Sequence, residues 1–206
     1  ASIIVTSGAA DIGTGLDTII AKVTSDILCI PMDKITVLSG DTDSGAFDTG
    51  SYASSGTFFS GNAAVVAATN LKNKILDEAA YQLGEEMDDM ELAWPGEVHS
   101  KKTGKVLSYY EIIHTSTSGT GRGHLIAPGS FTTAASSVPY GAHFAQVAVN
   151  VRTGEVKVQK FYAIQDAGTP INPEAALCQM YGASLKSLGH TLYEDMILDE
   201  KGRCVN

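Results

Sequence analysis

The residues from Gly40 to Gly61 read G-D-T-D-S-G-A-F-D-T-G-S-Y-A-S-S-G-T-F-F-S-G and pass without a break into an Ala- and Val-rich run. Small side chains let backbone N–H groups approach a ligand, and the hydroxyls of Ser51, Ser54, Ser55 and Thr57 can donate to anionic or carbonyl oxygens. A helix start immediately afterwards favours negative charge. Two readings stand side by side: a cradle for an anion or polar cofactor, and a long glycine-rich connection between a strand and a helix.

N-terminal to this stretch, Ser2–Thr6 alternates as a strand and S-G-A-A-D-I-G-T-G, from Ser7 to Gly15, is a glycine-rich turn. Leu16, Ile19, Ile20, Val23 and Ile27 recur at helical spacing, so a helix is expected from Leu16 to Leu28, ahead of Pro31. Ile35–Leu38 is a short strand. The order strand, turn, helix, strand puts both glycine-rich turns at the same end of one sheet. C-terminal to the loop, a helix is expected from Phe58 to Leu83, with Ala63, Val66, Ala67, Leu71 and Ile75 on its apolar face and Lys72, Asp77 and Glu78 facing out.

Farther on, L-A-W-P-G-E-V-H-S reads as a strand and K-T-G-K as a hairpin turn. Ser108 with Glu111 makes a capping box for a short helix from Tyr109 to His114. Thr115–Pro128, rich in Ser, Thr and Gly, reads as a surface loop. Gly141–Asn150 and Glu155–Ile164 alternate at period two around Arg152-Thr153-Gly154 and predict a β-hairpin. A helix is expected from Pro173 to Asp195, with Met180, Ala183, Leu188 and Leu192 on one face. A closing hairpin follows, from Met196–Leu198 through a turn at Glu200-Lys201-Gly202. The uneven alternation favours α+β, with mixed sheets and helices packed on them. Two α+β halves are expected to meet near residue 90: 1–90 with the glycine-rich loops, and 91–206 with the hairpin and the last helix.

With 206 residues, 44% of them hydrophobic, the chain can bury a core as one large domain or as two small ones sharing a sheet. A net charge of −9 and no long Lys/Arg cluster argue against a nucleic-acid surface. Cys29, Cys178 and Cys204 form no C-x-x-C pair and have no histidine at metal-ligand spacing, which suits reduced thiols in a cytoplasmic protein better than disulfides or zinc. No secretory or membrane-length apolar run is visible, and both ends look like cuts inside a longer chain.

Few residues stand out as catalysts. S-G-T-G-R-G-H, at 118–124, lacks the Lys-Ser/Thr ending of a phosphate loop. Gly13-Thr14-Gly15 has the strand–helix context for binding an anion at a helix start but is too short for a dinucleotide fingerprint. His99, His114, His124, His143 and His190 are dispersed and read as surface or hydrogen-bonded core residues. Cys178 and His190 lie three turns apart on one helix, too far to act together. Gln179, among small neighbours, could offer a donor and an acceptor to a heterocycle edge, although a surface glutamine is the plainer reading.

Taken in order, these segments resemble the second molybdopterin-binding half of the molybdenum hydroxylases, the xanthine dehydrogenase and aldehyde oxidase group. The resemblance runs through D-I-G-T-G-L-D-T at Asp11–Thr18, I-P-M-D-K-I-T-V-L-S-G-D-T-D at Ile30–Asp43 and F-D-T-G-S-Y-A-S-S-G-T at Phe47–Thr57. It continues with A-H-F-A-Q-V-A-V-N-V-R-T-G-E-V-K-V at Ala142–Val158, D-A-G-T-P-I-N-P at Asp166–Pro173 and Q-M-Y-G-A at Gln179–Ala183.

The resemblance implies a pyranopterin cofactor: molybdopterin, alone or as its cytosine dinucleotide, carrying molybdenum. Gly13, Thr14 and Gly15 match the first cofactor-facing turn, where many relatives carry Gln in place of Thr14. Ser51, Tyr52, Ala53, Ser54, Ser55, Gly56 and Thr57 match the segment that wraps the pterin and phosphate, and Gln179 matches a glutamine that hydrogen-bonds the pterin. Cys178 stands where relatives usually have Gly, and Lys186-Ser187 replaces a Gln-Gly pair.

The family oxidises N-heteroaromatic or aldehyde substrates with oxygen derived from water and passes electrons to iron–sulfur and FAD partners. Its catalytic glutamate, in a downstream G-E motif, has no counterpart among these residues, so neither a catalytic residue nor a metal ligand is assigned. The chain is accordingly expected to be a fragment of a larger molybdenum subunit, inactive in isolation and holding little cofactor by itself. Alternatives are a non-catalytic scaffold and a molybdopterin carrier that keeps the fold.

Overall fold

A computed structural model describes residues 1–119, 121–135 and 137–206. The chain divides into two units, Ala1–Ser137 and Val138–Asn206. The α+β class is as read from the sequence, but the division falls well beyond residue 90. Met90 is buried in the same cluster as Leu76, Ala79 and Ala80 before it and Val98, Tyr109 and Ile112 after it, so a boundary there would cut a core in two.

The first unit begins with β1 (Ile3–Ser7), α1 (Leu16–Leu28) and β2 (Ile35–Ser39). β1 and β2 pair in parallel with Ile3 opposite Ile35 and Ser7 opposite Ser39. Parallel strands need a crossover, and α1 supplies it, so both strand ends deliver their loops to one edge. α1 buries Leu16, Ile19, Ile20 and Leu28 and starts at Leu16 as expected.

α2 (Gly61–Leu83) follows directly on a π-turn at Gly56–Ser60. It buries Gly61, Ala64, Ala68, Ile75, Leu76, Ala79 and Ala80, a face turned by about one residue from the expected one, with Ile75 common to both. The small residues let α2 lie close against α1. Glu78 does not face out. It is 1% exposed, and its Oε2 accepts from Arg122 Nε at 2.8 Å while Oε1 accepts from Gln82 Nε2 at 2.9 Å. Helical periodicity assigned a carboxylate to the outer face, but a cation 44 residues away covers it.

The expected strand L-A-W-P-G-E-V-H-S is instead two strands, β3 (Met90–Ala93) and β4 (Glu97–Ser100), paired antiparallel with Leu92 opposite Val98. Pro95 cannot donate to a ladder and Gly96 adopts φ +91°, so the chain turns there. β5 (Val106–Ser108) adds the third strand after the Lys102–Lys105 turn, and α3 (Tyr109–Ser116) begins with the complete Ser108/Glu111 capping box.

The second unit is the hairpin of β6 (Tyr140–Val149) and β7 (Val156–Asp166), followed by α4 (Pro173–Leu192). Register shifts between Gln146 and Val147, which face Lys160 and Val158, so Gln159 is the extra residue of a bulge. The half-buried positions on β7 accordingly step from Val158 to Phe161 and then Ala163. α4 is capped by Asn172, whose Oδ1 accepts from Ala175 N at 3.4 Å, and it ends three residues short of Asp195. Met180, Leu188 and Leu192 are half-buried as expected, while Ala183 is exposed. The closing hairpin shrinks to one bridge between Leu198 and Cys204 around an Asp199-capped turn.

Candidate functional site

The two glycine-rich loops meet at the C-terminal edge of β1 and β2. Gly8 lies directly beneath Ala46, where any side chain would overlap the Ala46 carbonyl, and Ser51 Oγ donates to Ala10 O at 2.8 Å. Gly56 rests against Leu16, the first residue of α1. Two segments some forty residues apart in sequence thus form one surface.

The acidic residues of these loops hold the backbone. Asp41 accepts from Asp43 N at 2.9 Å and from Ser44 Oγ at 2.7 Å, and Asp48 accepts from Gly50 N at 2.7 Å. Such turns satisfy local donors that a sheet or helix would otherwise have to satisfy. Among the described residues no group of His, Cys, Asp and Glu is arranged to hold a metal ion.

The most consequential of these carboxylates is Asp11. Its Oδ1 accepts from the backbone N–H of Gly13 at 2.8 Å, Thr14 at 3.0 Å and Gly15 at 3.2 Å, and its Oδ2 from Asp17 N at 3.4 Å. Partial burial works to raise its pKa, but the bonds from Gly13, Gly15, Asp17 and Thr14 outweigh this and hold it below the usual aspartate value. The Gly13–Gly15 amides, expected to await an anionic ligand, therefore already hold the chain's own anion. The sequence carried a signal for this: an Asp two to four residues before the amides at a helix start is the pattern of a local cap.

The second loop is organised differently. Ala53 and Ser54 take φ of +51° and +58°, and Ser55 returns to φ −82°, ψ −27°. Alternation of left- and right-handed residues turns successive N–H groups toward one concavity. Ser55 N donates to Tyr52 O at 3.0 Å. Next comes the π-turn, in which Gly61 N reaches back to Gly56 O, and the N–H groups of the first turn of such a run point out of its end. Ser54 and Thr57 are exposed beside them, and Ser55 and Gly56 are half-buried.

At the same edge, Ser39 Oγ donates to Asp17 Oδ2 at 2.9 Å, while Asp17 Oδ1 is buried without a hydrogen-bond partner among the described residues. Sequence reasoning missed Asp17, because only the pairing of β1 with β2 brings Ser39 to α1. Gln179 belongs to the second unit, where it is exposed on α4 beside exposed Leu177 and Cys178 and ahead of half-buried Met180. The structure thus joins the Gly13–Gly15 and Ser51–Thr57 segments within one unit and carries Gln179 on the other. Two shallow hollows of about 250 and 320 Å³ lie elsewhere, beside Ile30 and Tyr109 and beside Cys29 and Trp94, and none of the expected site residues lines either. Thr120, within the 118–124 stretch, lies outside the described residues.

Three proteins illustrate what the chain is similar to. The Escherichia coli (strain K12) protein named "Probable hypoxanthine oxidase XdhD" is 54% identical over 97% of this chain and 21% of its own length. The carbon monoxide dehydrogenase large chain of Afipia carboxidovorans is 30% identical over 98% of this chain and 25% of its own. The crystal structure of quinoline 2-oxidoreductase from Pseudomonas putida 86 superposes with a TM-score of 0.84 at 26% identity, covering 98% of this chain and 26% of that one. This chain spans about a fifth to a quarter of the relatives it matches. Its residues 1–206 match one family throughout, and the chain belongs to the molybdopterin cofactor-binding domains.

Proposed function

We propose that this domain serves a xanthine dehydrogenase-like molybdenum hydroxylase, which oxidises an N-heteroaromatic or aldehyde substrate with oxygen taken from water. The whole-chain family match carries this reading. Iron–sulfur and FAD partners would take the electrons, in keeping with relatives that are subunits of larger complexes, such as the 6-hydroxypseudooxynicotine dehydrogenase subunit gamma. The three free cysteines suit a reducing cytoplasm. No helix among the described residues is long and apolar enough to cross a membrane.

Within the domain, Ser51, Tyr52, Ala53, Ser54, Ser55, Gly56 and Thr57 are assigned to the pterin and its phosphate. The donor set fits: inward-turned amides, a helix start and the Ser54 and Thr57 hydroxyls suit a phosphate, and the orphan Asp17 Oδ1 is an acceptor for an N–H-bearing heterocycle. Asp11 engages the amides of Gly13, Thr14 and Gly15, so we assign that turn a supporting part, shaping the floor under the second loop through Ala10 and Ser51. Gln179 would donate to and accept from the pterin edge. When bound, the molybdenum supplies Lewis-acid and redox chemistry. The residues assigned to the site bind and orient the cofactor, and proton transfer is assigned to groups elsewhere in the full-length protein.

In the full-length protein, Ala53→Phe and Gln179→Leu are expected to lower molybdenum, by elemental analysis, and pterin, by fluorescence after oxidation. Full occupancy in both variants would refute the site. The nucleotide released by acid hydrolysis decides between molybdopterin and its cytosine dinucleotide.

A further inference from the structure

The Ser51–Thr57 loop contains two consecutive non-glycine residues in the left-handed region, Ala53 and Ser54, a conformation that the Cβ disfavours at each. Such a conformation persists only where its surroundings impose it. The surroundings here include a segment whose Ser, Thr and Gly content suggests only a surface loop.

Gly121–Phe131 runs extended along α2 in the opposite direction. Its alternate residues Gly121, Gly123, Leu125 and Ala127 are half-buried, and Leu125 packs on the core. It belongs to no strand ladder; the end of α3 holds its first residues, and side chains of α2 hold carbonyls farther along. At its start, buried Ser116 grips Gly123 twice: Gly123 N donates to Ser116 O at 2.8 Å and Ser116 Oγ donates to Gly123 O at 2.7 Å. Arg122 then pairs with Glu78 and Asp77 and lies over the Tyr81 ring at 4.8 Å.

One turn toward the start of α2, Lys74 Nζ donates to Ile126 O at 2.6 Å, and one turn further Asn70 Nδ2 donates to Pro128 O at 3.0 Å. The spacing is commensurate: four helical residues rise about 6 Å and two extended residues about 6.6 Å. Side chains at i and i+4 thus meet carbonyls at j and j−2, both on one side of the segment. Gly129 then lies on the α2 backbone, where a Cβ would overlap Ala63 and Ala67. The segment ends with Phe131 edge-on to Phe58, at 5.9 Å between centroids, and tilted at 6.1 Å to Phe59. Both rings belong to the π-turn that closes the Ser51–Thr57 loop.

We infer that Gly121–Phe131 is a strap, fastened to α2 by Glu78, Lys74 and Asn70, that holds the Ser51–Thr57 loop in its left-handed conformation through Phe131. Lys74 and Asn70 are then positioning residues that act on the loop from about four to five turns away. The strap stands on its own geometry; its consequence for cofactor retention rests on the site proposed above.

Hydrogen exchange reads the strap directly. Full-length protein from cells unable to make molybdopterin removes any protection by ligand, and circular dichroism verifies folding. The double variant Asn70→Leu/Lys74→Met is expected to speed exchange in peptides spanning 51–60 by about tenfold, the worth of roughly one net hydrogen bond. Asn70→Leu alone should give a smaller increase, Lys74→Arg should retain the wild-type rate, and Asn73→Leu, on an exposed position of α2, should be silent. Unchanged exchange at 51–60 in the double variant overturns the proposal, whether or not 121–131 itself loosens. An increase reproduced by Asn73→Leu overturns it as well. Faster exchange at 51–60 with full cofactor content in cells that make it supports the strap and refutes Ser51–Thr57 as the cofactor loop.

Discussion

Replacing Arg122 with Met tests the one place where the structure reverses the expected face of α2. The Glu78 carboxylate is 1% exposed and has two side-chain partners, Arg122 Nε at 2.8 Å and Gln82 Nε2 at 2.9 Å. Breaking a buried ion pair from one side costs about 3–5 kcal/mol, because a charge is left in a poor solvent. Arg122 itself is 42% exposed, so its removal opens a path for water to the stranded oxygen. The outer pair with Asp77, 58% exposed, contributes only about 0–1 kcal/mol. The discounted loss is about 2 kcal/mol.

If α2 and the strap open locally, that loss should appear as about thirtyfold faster hydrogen exchange in peptides covering 74–83 and 121–126. Adding Glu78→Gln should recover part of it, since a neutral amide strands no charge and can still meet Gln82. The resulting coupling separates the ion pair from the loss of packing on Tyr81. A change below about threefold in Arg122→Met, the size typical of a surface pair, would refute the account of Glu78 as a buried anchor.

Two further outcomes follow from the loops. Asp11 has a folded pKa below that of the unfolded chain, so its stabilisation of the α1 start is present above the ordinary aspartate value and is lost as pH falls through the lowered one. Exchange of the α1 amides should therefore rise on acidification below about pH 4 in the wild type and respond less in Asp11→Asn; equal responses would dissociate Asp11 from the acid transition. Gly8→Ala should force the Ala46 segment off the first turn and lower the molybdenum content of the full-length protein, as measured by elemental analysis. Wild-type content would show that the contact between the two loops is dispensable.

Local chemistry explains why so much of this fold was legible in the sequence. α1 was correctly bounded because its apolar spacing and Pro31 act over a few residues, as does the reciprocal Ser108/Glu111 cap of α3. The β6–β7 hairpin was readable from alternation around Arg152-Thr153-Gly154 for the same reason. The bulge at Gln159 was not, since register depends on the partner strand. The two candidate loops were visible as glycine-rich segments, and the pairing of β1 with β2 set them at one edge.

Tertiary structure alone decided which groups those loops leave for a ligand. Asp11's hold on the Gly13–Gly15 amides is local and legible in sequence, but the bond from Ser39 to Asp17 depends on the pairing of β1 with β2, and helical periodicity could not show that Glu78 is buried, because Arg122 arrives from 44 residues away. A small-residue stretch such as Gly121–Gly129 reads as a loop in sequence. Two of its three glycines allow close approach to other backbone, Gly121 against Ser116 and Gly129 against α2, while Gly123 takes φ +101°. Sequence specifies what each residue can offer over one or two turns, whereas hydrogen bonds and burial between distant segments depend on where the whole chain brings them.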